Sequence, residues 1–161
     1  MNSLIVIPAR YNSQRFPGKP LADIVGKTMI QHVYEKAAAS KASRVIVATD
    51  DERIFNTVVK FGGEVIMTSP DHNNGTERCA EVLEHLENEG KGFDILVNLQ
   101  GDEPLINPKE IDKIIDFFKQ NETTEILTLV KEISNLEELE SPNVAVSYTH
   151  LRAHETGRNL V

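Results

Sequence analysis

The chain opens with four consecutive apolar residues, 4–7, followed directly by Pro8 and a loop rich in positive charge. An apolar run of this kind predicts a strand buried on both faces, which ends at Pro8 because proline has no amide hydrogen. The loop carries Arg10, Arg15 and Lys19 with no acidic residue among them. In a chain of formal net charge -8, this cluster predicts a site for a phosphate-rich anion beyond the carboxyl end of the strand.

Solvated surface cations would explain any one of these groups, since the aliphatic stem of an arginine or lysine can cover apolar surface while its charge stays in water. Three cations in one loop that follows a buried strand favour a functional site instead, because functional groups concentrate on loops held by rigid elements. The positive loop is therefore the first candidate site.

Further apolar strands alternate with amphipathic helices along the chain. The predicted strands are 44–48, 64–67, 93–99 and 125–130, with a short extended piece at 21–25. One predicted helix begins near residue 28, two cover 52–61 and 76–89, a fourth begins at Asn107, and a short fifth covers 135–139. This alternation is typical of βαβ units and a mostly parallel sheet covered on both faces. The predicted fold class is an α/β, Rossmann-like three-layer sandwich.

Length and composition limit the classes of protein. With 161 residues and 40% hydrophobic content, we expect one core and therefore one domain or a piece of one. The acidic balance argues against nucleic-acid and membrane partners. The single cysteine, Cys79, excludes a disulfide framework, and the first residues lack the pattern of a signal peptide. No apolar run is long enough to cross a bilayer. We therefore expect a cytoplasmic protein.

Several polar residues have a local structural interpretation. Asp50 and Asp51 precede the predicted helix 52–61 and are interpreted as its cap and acidic first turn. Asn74, with Glu77 three residues later, has the form of a capping box. His72 is interpreted as structural or solvated, and Cys79 as a small core residue on an apolar stripe. For Asp102, in a Gly-Asp-Glu-Pro turn, the pattern leaves a turn cap and a metal ligand equally open.

Four segments together resemble one family: IPARYNSQRFPGKPL, VIVATDDERI, MTSPDHNNGTERCAE and NLQGDEPLI. They resemble the 3-deoxy-manno-octulosonate cytidylyltransferases, or CMP-KDO synthetases, which are sugar nucleotidyltransferases of GT-A-like fold. The positive loop is shared with CMP-sialic acid synthetases and other nucleotidyltransferases. The NNGTER and LQGDEP segments favour the KDO branch.

The resemblance implies a reaction in which KDO attacks CTP to give CMP-KDO and diphosphate for lipopolysaccharide biosynthesis, with Mg²⁺ as cofactor. It implies homodimers for full-length members. The alternatives are a CMP-sialic acid synthetase or another sugar nucleotidyltransferase, and a catalytically inactive, truncated module that binds CTP. The resemblance also assigns residues. Catalytic roles fall to Arg10, Lys19 and Asp102, with Asp102 as the metal ligand, and nucleotide contacts fall to Pro8, Ala9, Arg10, Ser13, Arg15, Lys19, Gly75, Thr76, Arg78 and Gln100.

The family pattern is followed from about Leu4 to about Val146. We therefore predict a nucleotide-binding α/β domain over 1–146, the N-terminal part of the family's catalytic domain. Residues 147–161 have no counterpart in the family pattern and are interpreted as a disordered or artefactual tail. The strand-rich part that the family uses for its sugar pocket and dimer contacts is not expected in this chain, so its activity is left open.

Overall fold

A computed structural model describes residues 1–12, 16–130, 145–148 and 152–155. The chain divides into two compact units, Met1–Thr124 and Glu125–Val161. The first unit holds a four-stranded sheet whose strands are all parallel. The strands in chain order are β1 (Ser3–Ala9), β4 (Arg44–Thr49), β5 (Val65–Met67) and β6 (Ile95–Asn98), and their order in the sheet is β5-β4-β1-β6. The parallel sheet that the sequence predicts is confirmed.

Helices cover both faces of this sheet. They are α1 (Met29–Ala38), α2 (Glu52–Lys60), α3 (Gly75–Asn88) and α4 (Pro108–Gln120). Buried side chains of α1, α2 and α4 pack on one face, while those of α3 pack on the other. The three-layer α/β sandwich is therefore confirmed. Among the described residues, no helix is both long enough and apolar enough to cross a membrane.

The first apolar run forms the central strand and supplies both layers of the core. Leu4 and Val6 face α3, whereas Ile5 and Ile7 face the three helices of the opposite side, and all four are 0% exposed. Burying each such side chain contributes roughly 1.5–3 kcal/mol to folding. The carboxyl end of β1 is thus held firmly, which positions the loop that follows.

The prediction that Pro8 ends this strand is wrong, since β1 continues to Ala9 and Pro8 pairs in register with Ala48 of β4. On the opposite side, the carbonyl of Val6 accepts a hydrogen bond from the Leu99 amide, and pairing with β6 ends at Val6. Backbone groups of alternate strand residues point to the same side, so the Pro8 nitrogen, which carries no hydrogen, faces the side on which pairing has already ended at Val6. The proline therefore removes no ladder hydrogen bond.

Three of the predicted helix starts have the side-chain caps that the sequence indicates. Asp51 accepts a hydrogen bond from the Arg53 amide at 2.9 Å and caps α2. Asn74 accepts from the Glu77 amide at 2.9 Å and caps α3. Asn107 caps α4 through the Lys109 amide at 3.0 Å. These local signals could be identified from sequence because donor and acceptor are only two or three residues apart.

The segment predicted as extended, 21–25, is only partly so. A short 3-10 helix covers Lys19–Leu21, and a small hairpin follows, made of β2 (Asp23–Ile24) and β3 (Lys27–Thr28). Its two turn residues, Val25 and Gly26, have φ values of 53° and 83°. Positive φ at both positions is the requirement of a type I′ turn, which favours asparagine followed by glycine. A β-branched residue is strained there.

Replacing Val25 with asparagine is expected to stabilise the protein by about 0.5–1 kcal/mol, because the side chain is 96% exposed and the strain of the left-handed backbone is relieved. Urea unfolding measures the change in the free energy of unfolding. Val25→Ile, which keeps the β-branch, is the control and should give no gain. Equal stability of the asparagine and isoleucine variants would contradict the assignment of strain to this turn.

The predicted strand 125–130 is wrong, since none of those residues belongs to a strand. Ile126, Leu129 and Val130 are 81%, 47% and 73% exposed, and β-branched composition alone forms no strand without a pairing partner. The predicted helix 135–139 lies outside the described residues. In the second unit, β7 (Ala145–Tyr148) and β8 (Arg152–Glu155) pair antiparallel, a pairing that the sequence pattern did not predict. The boundary at Val146 stays a prediction.

Candidate nucleotide site

The carboxyl end of β1 is the point on which two other segments converge. A Cβ atom added to Gly75, the first residue of α3, would lie 3.0 Å from Cγ of Pro8. A Cβ atom added to Gly101, in the loop after β6, would lie 3.0 Å from the Pro8 carbonyl oxygen. Both contacts are tighter than most Cβ contacts in proteins, so glycine lets the two segments approach the strand without displacing Pro8. The predicted site residues Pro8, Gly75 and Asp102 are therefore brought to one edge of the sheet.

An ion pair joins two of the predicted catalytic residues. Nζ of Lys19, at the end of the positive loop and the start of the 3-10 helix, lies 2.6 Å from Oδ2 of Asp102, which follows β6. The side chains are 36% and 51% exposed, so both can reach a ligand from solvent. The two residues are 83 positions apart in sequence and meet because parallel strands end at the same edge. The pair places a cation and a carboxylate side by side.

Arg10 extends from the end of β1 to the loop between β5 and α3. Its guanidinium donates a hydrogen bond to the backbone carbonyl of His72. The imidazole Nε2 of His72 lies 2.5 Å from Oε2 of Glu81, which also accepts from the Ser69 amide at 2.9 Å. Burial by itself would raise the pKa of Glu81, but the hydrogen bonds from His72 and Ser69 outweigh it and lower that pKa. His72 thus has a structural partner, Glu81, which the sequence did not identify.

Arg78 occupies a different environment from the other predicted site residues. Its side chain is fully buried and donates to Oδ2 of Asp50 at 2.8 Å and to the Thr68 hydroxyl. It thereby joins the segments that follow β4 and β5. The interpretation of Asp50 as a helix cap is wrong, because Asp51 is the N-cap and Asp50 is the counter-ion of a buried guanidinium. This placement gives Arg78 a structural role, and its contact with the nucleotide stays a prediction.

The remaining predicted residues lie at the same edge or outside the described part of the chain. Ala9 is buried at the end of β1, and Thr76 is exposed in the first turn of α3. The side-chain amide of Gln100 donates to Oδ1 of Asn98 at 3.1 Å. Ser13 and Arg15 lie outside the described residues, so their predicted contacts stay predictions.

Cys79 is 1% exposed in the core beside α3, which confirms its interpretation as a core residue. Burial raises the pKa of its thiol to about 12. At neutral pH the thiol is therefore protonated, which makes it a poor nucleophile.

The carboxylates at this edge fit a metal shared with a phosphate ligand. Within the described ranges, no three histidine, cysteine or acidic side chains are grouped so as to hold a metal ion. Mg²⁺ usually takes one or two protein carboxylates and completes its octahedron with phosphate oxygens and water. The half-exposed carboxylate of Asp102 meets that requirement. Its neighbour Glu103 has a raised pKa, caused first by burial and then by the negative charges of Asp102 and Glu110.

Besides the contact of His72 with Glu81, sequence reasoning missed two contacts near the site. Arg53 lies over the ring of Tyr11, with its guanidinium carbon 3.2 Å from the ring centroid. The pairing of Asp50 with Arg78 was also missed. Neither contact has a local sequence signal, since the partners come from different elements of the fold.

A parallel α/β sheet that presents cations and a carboxylate at its carboxyl edge is the arrangement in which open α/β domains hold anionic ligands. A sequence model described as cytidylyltransferase matches residues 4–156, and the chain belongs to that family. The match extends beyond Val146, where the resemblance noted from motifs ends.

Relatives within this family carry a more specific name. A protein of Idiomarina loihiensis named 3-deoxy-manno-octulosonate cytidylyltransferase is 53% identical over 146 residues, covering 89% of this chain and 56% of that protein. A protein of the same name from Geobacter sulfurreducens is 49% identical over 155 residues, covering 96% of this chain and 60% of that protein. The chain therefore spans a little more than half the length of these relatives.

A solved structure agrees with the sequence comparison. The structure of CMP:2-keto-3-deoxy-manno-octonic acid synthetase complexed with CTP matches with a TM-score of 0.85 and 42% sequence identity. The match covers 100% of this chain and 66% of that chain. The architecture is thus that of an enzyme solved with a cytidine nucleotide bound.

Proposed function

We propose that this chain is the nucleotide-binding part of a cytidylyltransferase that activates 3-deoxy-manno-octulosonate with CTP, giving CMP-KDO and diphosphate. The observation that carries the proposal is the meeting of Lys19 and Asp102, whose charged atoms lie 2.6 Å apart at the edge where the positive loop begins. The relatives' name and the CTP complex support the choice of substrates. The product would supply lipopolysaccharide biosynthesis.

The proposed reaction is one in-line displacement at phosphorus. The anomeric oxygen of the sugar acid forms a bond to the α-phosphorus of CTP, while the bond to the bridging oxygen breaks. The hydroxyl proton is released, and diphosphate leaves with the bonding electrons. Negative charge grows on the phosphate oxygens during this step, and cations fixed beforehand stabilise it. Lys19 and Arg10 would supply the stabilising positive charge, and Gln100 could orient the attacking hydroxyl.

Mg²⁺ is the proposed cofactor, with Asp102 as its protein ligand beside the phosphate oxygens of CTP. Bound there, it would neutralise phosphate charge and fix the triphosphate for in-line attack. Lys19 would then exchange its contact with Asp102 for one with the phosphates. The chain's own part is therefore to hold the triphosphate between the positive loop and the segment after β6.

The proposal extends to partners and compartment. A cytoplasmic location suits an enzyme that uses CTP and keeps its one cysteine reduced. A net charge of -8 favours neither nucleic acid nor anionic membrane as a partner. We propose homodimers for the full-length relatives.

The direct test incubates the 161-residue chain with CTP, Mg²⁺ and KDO and detects CMP-KDO and diphosphate by mass spectrometry. In parallel, the chain itself is assayed with sialic acid, and a chimera that adds the C-terminal remainder of the Geobacter sulfurreducens relative is assayed with KDO, which tests the nucleotide part that this chain supplies. CMP-KDO formation supports the proposal. Product from sialic acid and none from KDO would reject the sugar assignment.

A second candidate is a nucleotide-binding module without turnover, which is favoured by the share of its relatives that the chain spans, 56% for one of them. Calorimetry separates this candidate from the first. Mg²⁺-dependent CTP binding by the chain, with product only from the extended protein, would establish the module. Absence of CTP binding in both proteins would overturn the two candidates together.

A further inference from the structure

Tyr11 connects the positive loop to the first turn of α2. The guanidinium carbon of Arg53 lies 3.2 Å from the centre of the Tyr11 ring. Arg53 is held over the ring by Asp51, which accepts from its Nε at 3.0 Å and from its Nη2 at 2.6 Å. Arg53 lies in the first turn of α2 and Asp51 is the N-cap of the same helix, so the arginine is held in place by a rigid element of the domain.

The same tyrosine determines where the loop returns to the domain. The Tyr11 carbonyl accepts a hydrogen bond from the Gly18 amide at 2.8 Å. A Cβ atom on Gly18 would lie 3.0 Å from Cε2 of the Tyr11 ring, and Gly18 has a φ of 73°. Only glycine fits this contact and this backbone conformation without strain. Gly18 directly precedes Lys19, so the tyrosine fixes the start of the 3-10 helix that carries the lysine.

We propose that Tyr11 and Arg53 form a positioning clamp that holds Lys19 ready for the triphosphate. The clamp consists of the Arg53 guanidinium on the ring, the Asp51 carboxylate that orients it, and the Gly18 backbone packed against the ring. Neither Tyr11 nor Arg53 has to contact the ligand for this effect. The clamp limits the positions that Lys19 can take before binding, so less conformational freedom is lost when the ligand binds. The inference rests on the proposed binding of CTP at this edge.

The test measures the affinity of the full chain for CTP in Mg²⁺ by calorimetry. Arg53→Ala and Tyr11→Leu should each weaken binding about fivefold, the factor expected for a cation–π contact at an exposed site. The double variant should bind no more weakly than Tyr11→Leu alone, because Tyr11→Leu already removes the contact that Arg53→Ala removes. Arg53→Lys keeps the charge and should recover part of the loss. The matched control is Lys41→Ala, which removes an equally exposed cation, paired with Asp116, and should change affinity less than twofold.

Amide exchange followed by NMR gives a readout that needs no ligand. In the free protein, Arg53→Ala should speed exchange of the Gly18 amide about fivefold and leave the amides of α4 unchanged, whereas a general loss of stability would affect both. Faster exchange with unchanged CTP affinity would overturn the positioning role. Weaker CTP binding with unchanged exchange, or an equal loss in Lys41→Ala, would overturn the clamp. If the wild-type chain binds no CTP, the proposed function fails, and the exchange experiment still decides whether the clamp exists.

Discussion

Without Mg²⁺, Lys19→Ala is expected to bind CTP more weakly than the wild type, whereas Asp102→Ala is expected to bind it slightly more tightly. In Mg²⁺, each variant should bind CTP about 10- to 100-fold more weakly than the wild type, as expected for losing charged hydrogen bonds to phosphate or the metal ligand. In EDTA, Lys19→Ala should still bind more weakly than the wild type. Asp102→Ala should bind slightly more tightly, because the carboxylate that holds Nζ of Lys19 at 2.6 Å is gone.

Calorimetric titration of both variants in the two buffers measures this pattern. Asp116→Ala is the control for losing a surface carboxylate that pairs with a lysine elsewhere, and its CTP affinity should equal that of the wild type in both buffers. Unchanged affinity in Lys19→Ala and Asp102→Ala would locate the nucleotide elsewhere. Weaker binding of Asp102→Ala in EDTA would show that its carboxylate does not compete for the lysine.

The second large effect concerns stability, and two neighbouring aspartates provide the comparison. The side chains of Asp50 and Asp51 are 18% and 17% exposed, but their arginine partners differ. Arg78 is 0% exposed, while Arg53 is 56% exposed. Asp50→Asn should therefore lower the free energy of unfolding by about 3 kcal/mol, because it leaves a buried guanidinium without its counter-charge.

Asp51→Asn should cost less than about 0.5 kcal/mol, since asparagine is an equally good N-cap and an exposed ion pair contributes little. Urea unfolding of the two variants, monitored by circular dichroism, gives both values. Equal losses would mean that burial of Arg78 is not what makes its ion pair important. If adding Arg78→Met to Asp50→Asn restores the free energy of unfolding, the assignment is supported, because the unpaired charge is then removed.

The sequence was sufficient for those features that depend on local pattern. Apolar runs identified the four parallel strands, and residues two or three positions apart identified the caps at Asp51, Asn74 and Asn107. Placing Lys19 and Asp102 in one site needed the family resemblance as well, because the pattern alone left Asp102 open between a turn cap and a metal ligand. Their contact depends on the sheet order, since β1 and β6 are neighbouring strands.

Features that depend on tertiary partners could not be derived in this way. The strand was expected to end at Pro8 because the pattern could not show that β6 pairing stops at Val6. Asp50 resembled its neighbour in sequence, and only the fold brings it to Arg78, 28 residues away. The segment 125–130 has the composition of a strand but forms none, since strand formation requires a pairing partner.

The most direct measurement of the central claim is NMR of the labelled chain with CTP and Mn²⁺ in place of Mg²⁺. A paramagnetic ion broadens the signals of nearby amides, so it reports where the metal–nucleotide complex lies. If cations and carboxylate form one site, the amides of Arg10, Lys19 and Asp102 should broaden together, while that of Gly90, which precedes β6 at the opposite edge of the sheet, stays sharp. Broadening at Asp102 without Lys19 and Arg10, or broadening centred near Gly90, would contradict a single site for metal and triphosphate.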